Sequence, residues 1–193
     1  MACNCRSLFT LVQGCMATIF MCLYTTMHLN VPPLGTTTTI AIFRRRLLFL
    51  GLTLLIPELA IGWAFRQRSI ARQLSKDLNI TMTHAFFVVM GGFASRGGEP
   101  IVTRHQLGRP GILEEIRETP IVTIKDKAKG ESFSEAFMIL QAGWSIVEIV
   151  ARAASGLPPT ELELSTTGFA VVGIATLVIN WNKPLDVQQP LRI

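Results

Sequence analysis

One carboxylate interrupts a long apolar run in the first third of the chain. Glu58 follows Pro57 near the middle of residues 47–65, which are otherwise almost all apolar. An ionisable side chain inside a membrane-spanning segment is a candidate functional group, and a carboxyl there could donate a proton as a general acid. Glu58 is therefore the candidate catalytic residue. The alternative is structural, because a buried carboxyl can also hold helices together near the backbone carbonyl that a proline frees.

Helical spacing indicates which way this side chain should point. Gly51 lies seven residues before Glu58 and Gly62 lies four residues after it, so the three share one helix face. Small residues on a face allow a neighbouring helix to approach closely. We therefore expect Glu58 to face the inside of a helix bundle.

A second polar pattern lies in residues 133–154. Gln141, Glu148 and Arg152 are candidate binding residues, because they recur at helical spacing in a mainly apolar run. Glu148 and Arg152 are four residues apart, in the order that favours an ion pair within a helix. Such a pair near a helix end also fits a purely interfacial role. The complete stripe is Ser134, Gln141, Ser145, Glu148, Arg152 and Ser155.

Motifs of soluble enzymes are missing from the sequence. It contains no P-loop, no dinucleotide-binding glycine pattern, no H-E-x-x-H and no G-x-S-x-G. Its three histidines are scattered without metal-ligand spacing, so we expect no metal and no cofactor. The net charge is +5, but the basic residues flank apolar runs and do not cluster with aromatics. This pattern predicts the lipid bilayer as the partner and not nucleic acid, and leaves a homo-oligomer open.

Long apolar segments must carry these residues. The chain has 193 residues and only 16% of them are charged, against about 25% in ordinary soluble domains. A helix needs roughly 20 apolar residues to cross a bilayer. Four runs approach that length: residues 7–27, 47–65, 133–154 and 164–181. The sequence therefore predicts a single all-α membrane domain over 1–193, with about four transmembrane helices in a bundle.

The first and last runs carry mildly polar stripes that we expect to be buried in this bundle. In residues 164–181 the stripe is Thr166, Gly173, Thr176 and Asn180. In residues 7–27 and just beyond, it is Thr10, Gln13, Ala17, Tyr24 and His28.

Residues 66–132 form a small mixed extramembrane or re-entrant segment between spans two and three. Its first part, 66–78, has the spacing of an amphipathic helix on the membrane surface. Residues 80–95 are apolar but short, which is typical of a re-entrant, interfacial or core segment. A turn is predicted at Pro110-Gly111, followed by a short helix. The tetrapeptide PIVT, at 100–103 and 120–123, predicts two short strands that could pair.

The charge distribution predicts the orientation of this four-span arrangement. An even number of spans puts both termini on one side, together with residues 66–132. That side would hold fourteen lysines and arginines and the other side four, which favours cytoplasmic termini. The sequon Asn79-Ile80-Thr81 would then be cytoplasmic, so we expect Asn79 to remain unglycosylated.

Several blocks resemble a large group of fungal multi-spanning membrane proteins of uncharacterised function. The blocks are CMATIFMCLYTTMHLNVPP, RRRLLFLGLTLLIPELAIGWAFRQ, THAFFVVMGGF, ARAASGLPPTELELSTTGFAVV and WNKPLDV, in the same order as in that group. The resemblance implies a membrane location and a fungal source, and it implies no reaction. In that group an acidic residue usually precedes Met-Gly-Gly, whereas this chain has Val89 there.

Three functional interpretations remain open from the sequence. The leading one is a multi-spanning membrane protein with a structural, sensory or accessory role. The first alternative is an integral-membrane enzyme acting on a hydrophobic substrate such as a terpenoid, with Glu58 as its acid. The second is a transporter or channel subunit, in which Glu58 and the Gln141–Glu148 stripe line a path. A single carboxylate in mid-run weighs against the enzyme, and four spans without a repeat weigh against the transporter.

Overall fold

A computed structural model describes residues 7–26, 29–32, 39–126, 132–184, 187 and 189–193. Within these ranges the chain forms nine helices and two short strands. The helices are α1 (Leu8–Thr26), α2 (Thr39–Leu55), α3 (Glu58–Leu78), α4 (Met82–Val89), α5 (Arg104–Leu107), α6 (Ile112–Glu118), α7 (Ile121–Asp126), α8 (Ser132–Ala154) and α9 (Glu161–Ile179). The strands are β1 (Phe93–Ala94) and β2 (Leu191–Arg192), which pair in parallel.

Three helices are long and apolar enough to cross a membrane. They are α1, α9 and residues Phe133–Ala154 of α8, and they correspond to the first, fourth and third predicted runs. The prediction of a mainly helical chain with membrane-length helices is therefore confirmed. A fourth candidate exists only if α2 and α3 are counted together as one span.

The second predicted run does not form one helix. The chain bends by 112° between α2 and α3, and Ile56 and Pro57 lie at the corner. A proline has no N–H to continue the helix and disfavours a helical conformation in the residue before it. The prediction of one continuous span over 47–65 is therefore wrong in its geometry.

The bundle consists of α1, α8 and α9. Cys22 of α1 lies so close to α9 that a Cβ on Gly173 would be 3.3 Å from the Cys22 Cβ. The predicted stripe of α9 is buried along its whole length, from Thr166 to Asn180. Met138 and Ala142 of α8 complete the apolar core.

The predicted stripe of α1 is wrong. Thr10, Gln13, Ala17 and Tyr24 are exposed, and His28 lies outside the described residues. The buried face contains Cys15, Thr18, Cys22 and Thr25. These threonine hydroxyls donate to carbonyls one turn back, Thr18 to Gly14 and Thr25 to Met21. Because their polarity is satisfied within the helix, short side chains of this kind can pack closely in an apolar interior.

A second hydrophobic core lies at one end of the bundle. We call this part the cap, and define it as residues 66–126 together with residues 29–32, 187 and 189–193. Its core contains Leu74 of α3, Phe86 and Phe87 of α4, Ile116 of α6 and Ile124 of α7. The rings of Phe87 and Phe93 meet edge to face at 4.8 Å. Helix α4 has eight residues, about 12 Å of length, and is a buried core helix.

The predicted amphipathic helix over 66–78 is the second half of α3. Ala71 and Leu74 are buried against the cap core, whereas Ile70 is exposed. The apolar face of this half-helix is therefore partly covered by the cap's own residues.

The predicted pairing of the two PIVT segments is wrong. Pro100 of the first segment bridges to Ala94, and β1 pairs with β2 near the C terminus. The second segment is helical, because the Pro120 carbonyl accepts from the Ile124 N–H at the start of α7. Proline favours the first turn of a helix, where a missing N–H costs nothing.

Candidate functional site

A polar cavity of about 230 Å³ lies among α1, α8 and α9. It contains two of the three binding residues that the sequence indicated, Gln141 and Glu148, and Arg152 lies beside it on the same helix. The lining residues are Thr10, Leu11, Gly14, Cys15, Thr18, Gln141, Trp144, Ser145, Glu148, Ile149 and Glu163.

Gln141, which lines this cavity, joins α8 to α1. Its Nε2 donates to Thr18 Oγ1 at 3.1 Å, while the Thr18 hydroxyl donates to the Gly14 carbonyl at 2.9 Å. Because the Thr18 hydrogen is already used, the amide must present its NH₂ group to Thr18 and its Oε1 elsewhere. Among the described residues, the Gln141 Oε1 atom accepts no hydrogen bond.

Trp144 and Glu148 are coupled one turn further along α8. The indole Nε1 of Trp144 donates to Glu148 Oε1 at 2.9 Å. The four-residue spacing of a helix puts the two side chains on one face. Ser145 lies between them in the sequence and also lines the cavity. Gln141, Ser145 and Glu148 therefore form a continuous polar edge.

Arg152 pairs with a residue that the sequence analysis did not single out. Its Nη1 lies 3.5 Å from Glu163 Oε1, and its Nη2 donates to the Pro158 carbonyl at 3.5 Å. The predicted ion pair with Glu148 is therefore replaced by one across the α8–α9 turn. The Nε of Arg152 is buried and has no hydrogen-bond partner among the residues that the structure describes.

Glu163 is held by the start of α9. The Thr160 N–H and hydroxyl donate to Glu163 Oε2 at 2.9 and 3.0 Å, and the Thr160 oxygen accepts from the Glu163 N–H. This reciprocal arrangement is a capping box, whose signature in the sequence is Thr160-Glu-Leu-Glu163. That signature would have placed Glu163 at a helix start, next to the α8 stripe.

Glu58, the candidate catalytic residue, lies outside this cavity. It is the first residue of α3, and its side chain is exposed. Gly51 lies on α2 and Gly62 on α3, and in the described part of the chain neither has an atom within 4 Å of an added Cβ. The expectation that Glu58 faces the inside of a bundle is wrong, because its side chain is exposed and the bend at Pro57 puts Gly51 on a different helix.

Asn79 ends α3 in a left-handed conformation with φ of 51°. Thr81, the third residue of the sequon, caps the start of α4. Its side chain accepts from the His84 N–H and lies 2.6 Å from His84 Nδ1. His84 Nε2 lies 2.8 Å from the Thr119 carbonyl. Since a carbonyl only accepts, this Nε2 carries the hydrogen. The His84 side chain thus has a structural role in the cap.

The described part of the chain holds no group of three or more His, Cys, Asp or Glu side chains that could bind a metal ion. The polar edge of the cavity offers one unused amide oxygen, one hydroxyl and carboxylates that are engaged with protein donors. Such a set can bind a hydroxyl group or water.

Comparison with known proteins identifies a family but no reaction. The family model described as "Family of unknown function (DUF8562)" matches residues 1–84 and residues 76–193. No curated protein and no solved structure matches the chain. The two matched ranges together run from the first residue to the last. The chain therefore belongs to this family of unknown function, DUF8562.

Proposed function

We propose that this chain is a multi-pass membrane protein whose bundle binds a small amphipathic molecule with a hydroxyl head, in a sensory or accessory role. The observation that carries the proposal is the polar cavity among α1, α8 and α9, three helices of membrane-spanning length. Polar side chains are costly in such segments unless they bind one another or a ligand. The resemblance to fungal multi-spanning membrane proteins supports the same location.

The lining supports a hydroxyl group as the polar part of the ligand. Gln141 Oε1 can accept a hydrogen bond, and the Ser145 hydroxyl, four residues later on the same face, can donate one. A single alcohol group satisfies both at once. The cavity, about 230 Å³, is smaller than the roughly 300–1,000 Å³ typical for a drug-sized ligand. It therefore suits the head of an amphiphile, with the tail lying on exposed apolar residues of α8 such as Leu140 and Val147.

The arrangement supports binding over catalysis. The Glu148 carboxylate accepts from the Trp144 indole, and the Glu163 carboxylate is engaged by Thr160 and Arg152. Neither carboxylate is set apart as an acid or base facing a reacting atom. Glu58 does not line the cavity.

Trp144 provides the test, because it lines the cavity and its indole N–H bonds to Glu148. In a Trp63→Phe, Trp181→Phe background it is the sole tryptophan. A brominated long-chain alcohol, added to the purified protein in lipid vesicles, should quench Trp144 fluorescence in a saturable manner. A brominated alkane of equal length partitions into lipid without a hydroxyl and should quench only in proportion to its concentration.

Two variants make this test specific. Gln141→Leu combined with Ser145→Ala should remove the saturable component and leave the linear one. Gln13→Leu, on the exposed face of α1, is the matched control and should change neither component. Equal quenching by alcohol and alkane, or saturable quenching that survives in the double variant, would overturn the proposal.

A further inference from the structure

The contacts within the bundle fix the relative directions of its three helices. Early residues of α1, such as Thr10 and Gly14, share the cavity with Glu163 at the start of α9, and Cys22 meets Gly173 further along both helices. Helices α1 and α9 therefore run parallel. In α8 the order is reversed, because Glu148 lies near Thr10 while Gln141 bonds to Thr18. One end of the bundle thus holds Ser7 and the turn 155–160, which we call the turn side, and the other end holds the cap.

Helix α2 begins on the cap side. A cavity there is lined by Arg45 of α2 together with Val31, Met90 and Pro100 of the cap. Chain length agrees, because a fully extended chain between Pro32 and Thr39 reaches at most about 25 Å, less than the roughly 30 Å of a hydrocarbon core. Helix α2 therefore begins on the side at which α1 ends.

Helix α3 returns to the same side. Arg68 donates to the carbonyls of Val178 and Ile179 at the last turn of α9, which is the cap end. Gln67 bonds to Asn30 and Lys183, which follow α1 and α9. From there α3 continues into the cap core through Ala71 and Leu74.

We infer that α2 and α3 form a re-entrant hairpin in the leaflet on the cap side, so the chain crosses the bilayer three times and its termini lie on opposite sides. The 112° bend turns the chain back, and Phe49 and Trp63 meet across it with ring centroids 6.5 Å apart. Each arm, Arg46–Leu55 and Glu58–Gln67, covers about 15 Å at 1.5 Å per residue, half of a hydrocarbon core. The corner therefore reaches no deeper than about the midplane.

The occupant of the outer surface of this hairpin is lipid. Leu47, Leu48 and Leu55 are exposed on α2, and Phe65 is exposed on α3. Apolar arms that end in Arg44–Arg46 and in Arg66 match a leaflet with an anionic headgroup layer, into which long basic side chains extend.

With three crossings, the lysines and arginines are divided more unequally between the two sides of the membrane than with four. By chain order, sixteen of the eighteen lysines and arginines lie on the cap side, and only Arg6 and Arg152 lie on the turn side. The four-span arrangement left Arg44–Arg46 on the poorer side. The positive-inside rule therefore places the cap and the C terminus in the cytoplasm, and the N terminus on the opposite side. Asn79 is then cytoplasmic and unglycosylated.

Tags on the two termini of the full chain test the number of crossings. In sealed microsomes with the cytoplasmic face outward, added protease should remove a tag at Ile193 and leave a tag before Met1 intact until detergent is added. Equal protection of both tags would overturn the inference, because it requires an even number of crossings.

Single cysteines test the hairpin itself. With Cys3 and Cys5 replaced by serine, an impermeant maleimide should label Ile40→Cys and Gln73→Cys from the cytoplasmic face, since both positions are exposed. Leu157→Cys, in the α8–α9 turn, should react only after permeabilisation. The parent protein, which lacks the three introduced cysteines as well as Cys3 and Cys5, measures the background labelling of the buried Cys15 and Cys22. Labelling of positions 40 and 73 from opposite faces would show that α2 and α3 cross as a span.

Discussion

Glu58 occupies the first position of α3, where free backbone N–H groups and the helix dipole favour a negative charge. That contribution is at most about 1 kcal/mol at an exposed site. Burying a charged carboxylate at the bilayer centre costs roughly 2.5–3.5 kcal/mol on insertion scales. In the re-entrant hairpin that we infer, an exposed Glu58 at the corner opposes deep insertion.

Substitution of Glu58 should leave the bundle intact. Glu58→Gln and Glu58→Leu should each change the free energy of unfolding in detergent by less than about 1 kcal/mol, because no packed neighbour is lost. Ala60→Phe is the positive control, since Ala60 is buried two residues away and overpacking costs about 1–3 kcal/mol. A large loss in the leucine variant alone would mean that Glu58 has a buried polar partner.

Some residues of the cavity could be predicted from the sequence and others could not. Gln141 and Glu148 were found because polar residues at helical spacing in an apolar run must share a face. Glu163 was missed, although its capping box is visible in the sequence, because it lies one residue before the apolar run 164–181. In α1, Gln13 and Tyr24 are exposed whereas Thr18 and Thr25 are buried, because a hydroxyl bonded to its own helix behaves as a small apolar group.

At the scale of elements, Gly173 sets the separation of α1 and α9. A Cβ there would lie 3.3 Å from Cys22 Cβ and 3.4 Å from its Sγ, so a larger side chain must push the helices apart. Small residues at such positions allow helices to pack by close van der Waals contact.

Gly173→Val should therefore destabilise the bundle by about 1–3 kcal/mol, the usual range for overpacking. Gly168→Val is the matched control on the same helix, because Gly168 is exposed and has no atom within 4 Å of an added Cβ. Thermal unfolding in a mild detergent would compare them. If the two variants unfold at the same temperature, α1 and α9 are not in close contact at Cys22.

Some elements could be predicted and others could not, for identifiable reasons. Hydropathy located α1, α8 and α9, since long apolar runs have few alternatives. It could not give the corner at Pro57, because a proline permits both a mild kink and a reversal of direction. PIVT occurs twice and takes two structures, a bridge at Pro100 and a helix after Pro120. Because the two tetrapeptides are identical, the difference between their structures must come from the surrounding cap core.

At the scale of the whole molecule, two hydrophobic cores meet at a short polar chain. Lys183 Nζ donates to Gln67 Oε1 at 2.7 Å, and Gln67 Nε2 donates to Asn30 Oδ1 at 2.7 Å. Gln67 and Lys183 are each only 5% exposed. The three residues belong to α3 and to the segments that follow α1 and α9, so this chain connects the bundle to the cap.

Gln67→Leu should loosen that connection without unfolding either core. It removes a hydrogen bond from the Lys183 ammonium and another from the Asn30 amide, and leaving buried polar groups short of partners costs about 1–3 kcal/mol, more for charged ones. Hydrogen exchange should then accelerate at the amides of Asn180 and Lys183, while those of Phe87 and Val88 in the cap core keep their protection. Gln73→Leu, at an exposed position of the same helix, should leave both sets unchanged. Faster exchange throughout the cap in the Gln67 variant would show that the cap has no stability of its own and folds only against the bundle.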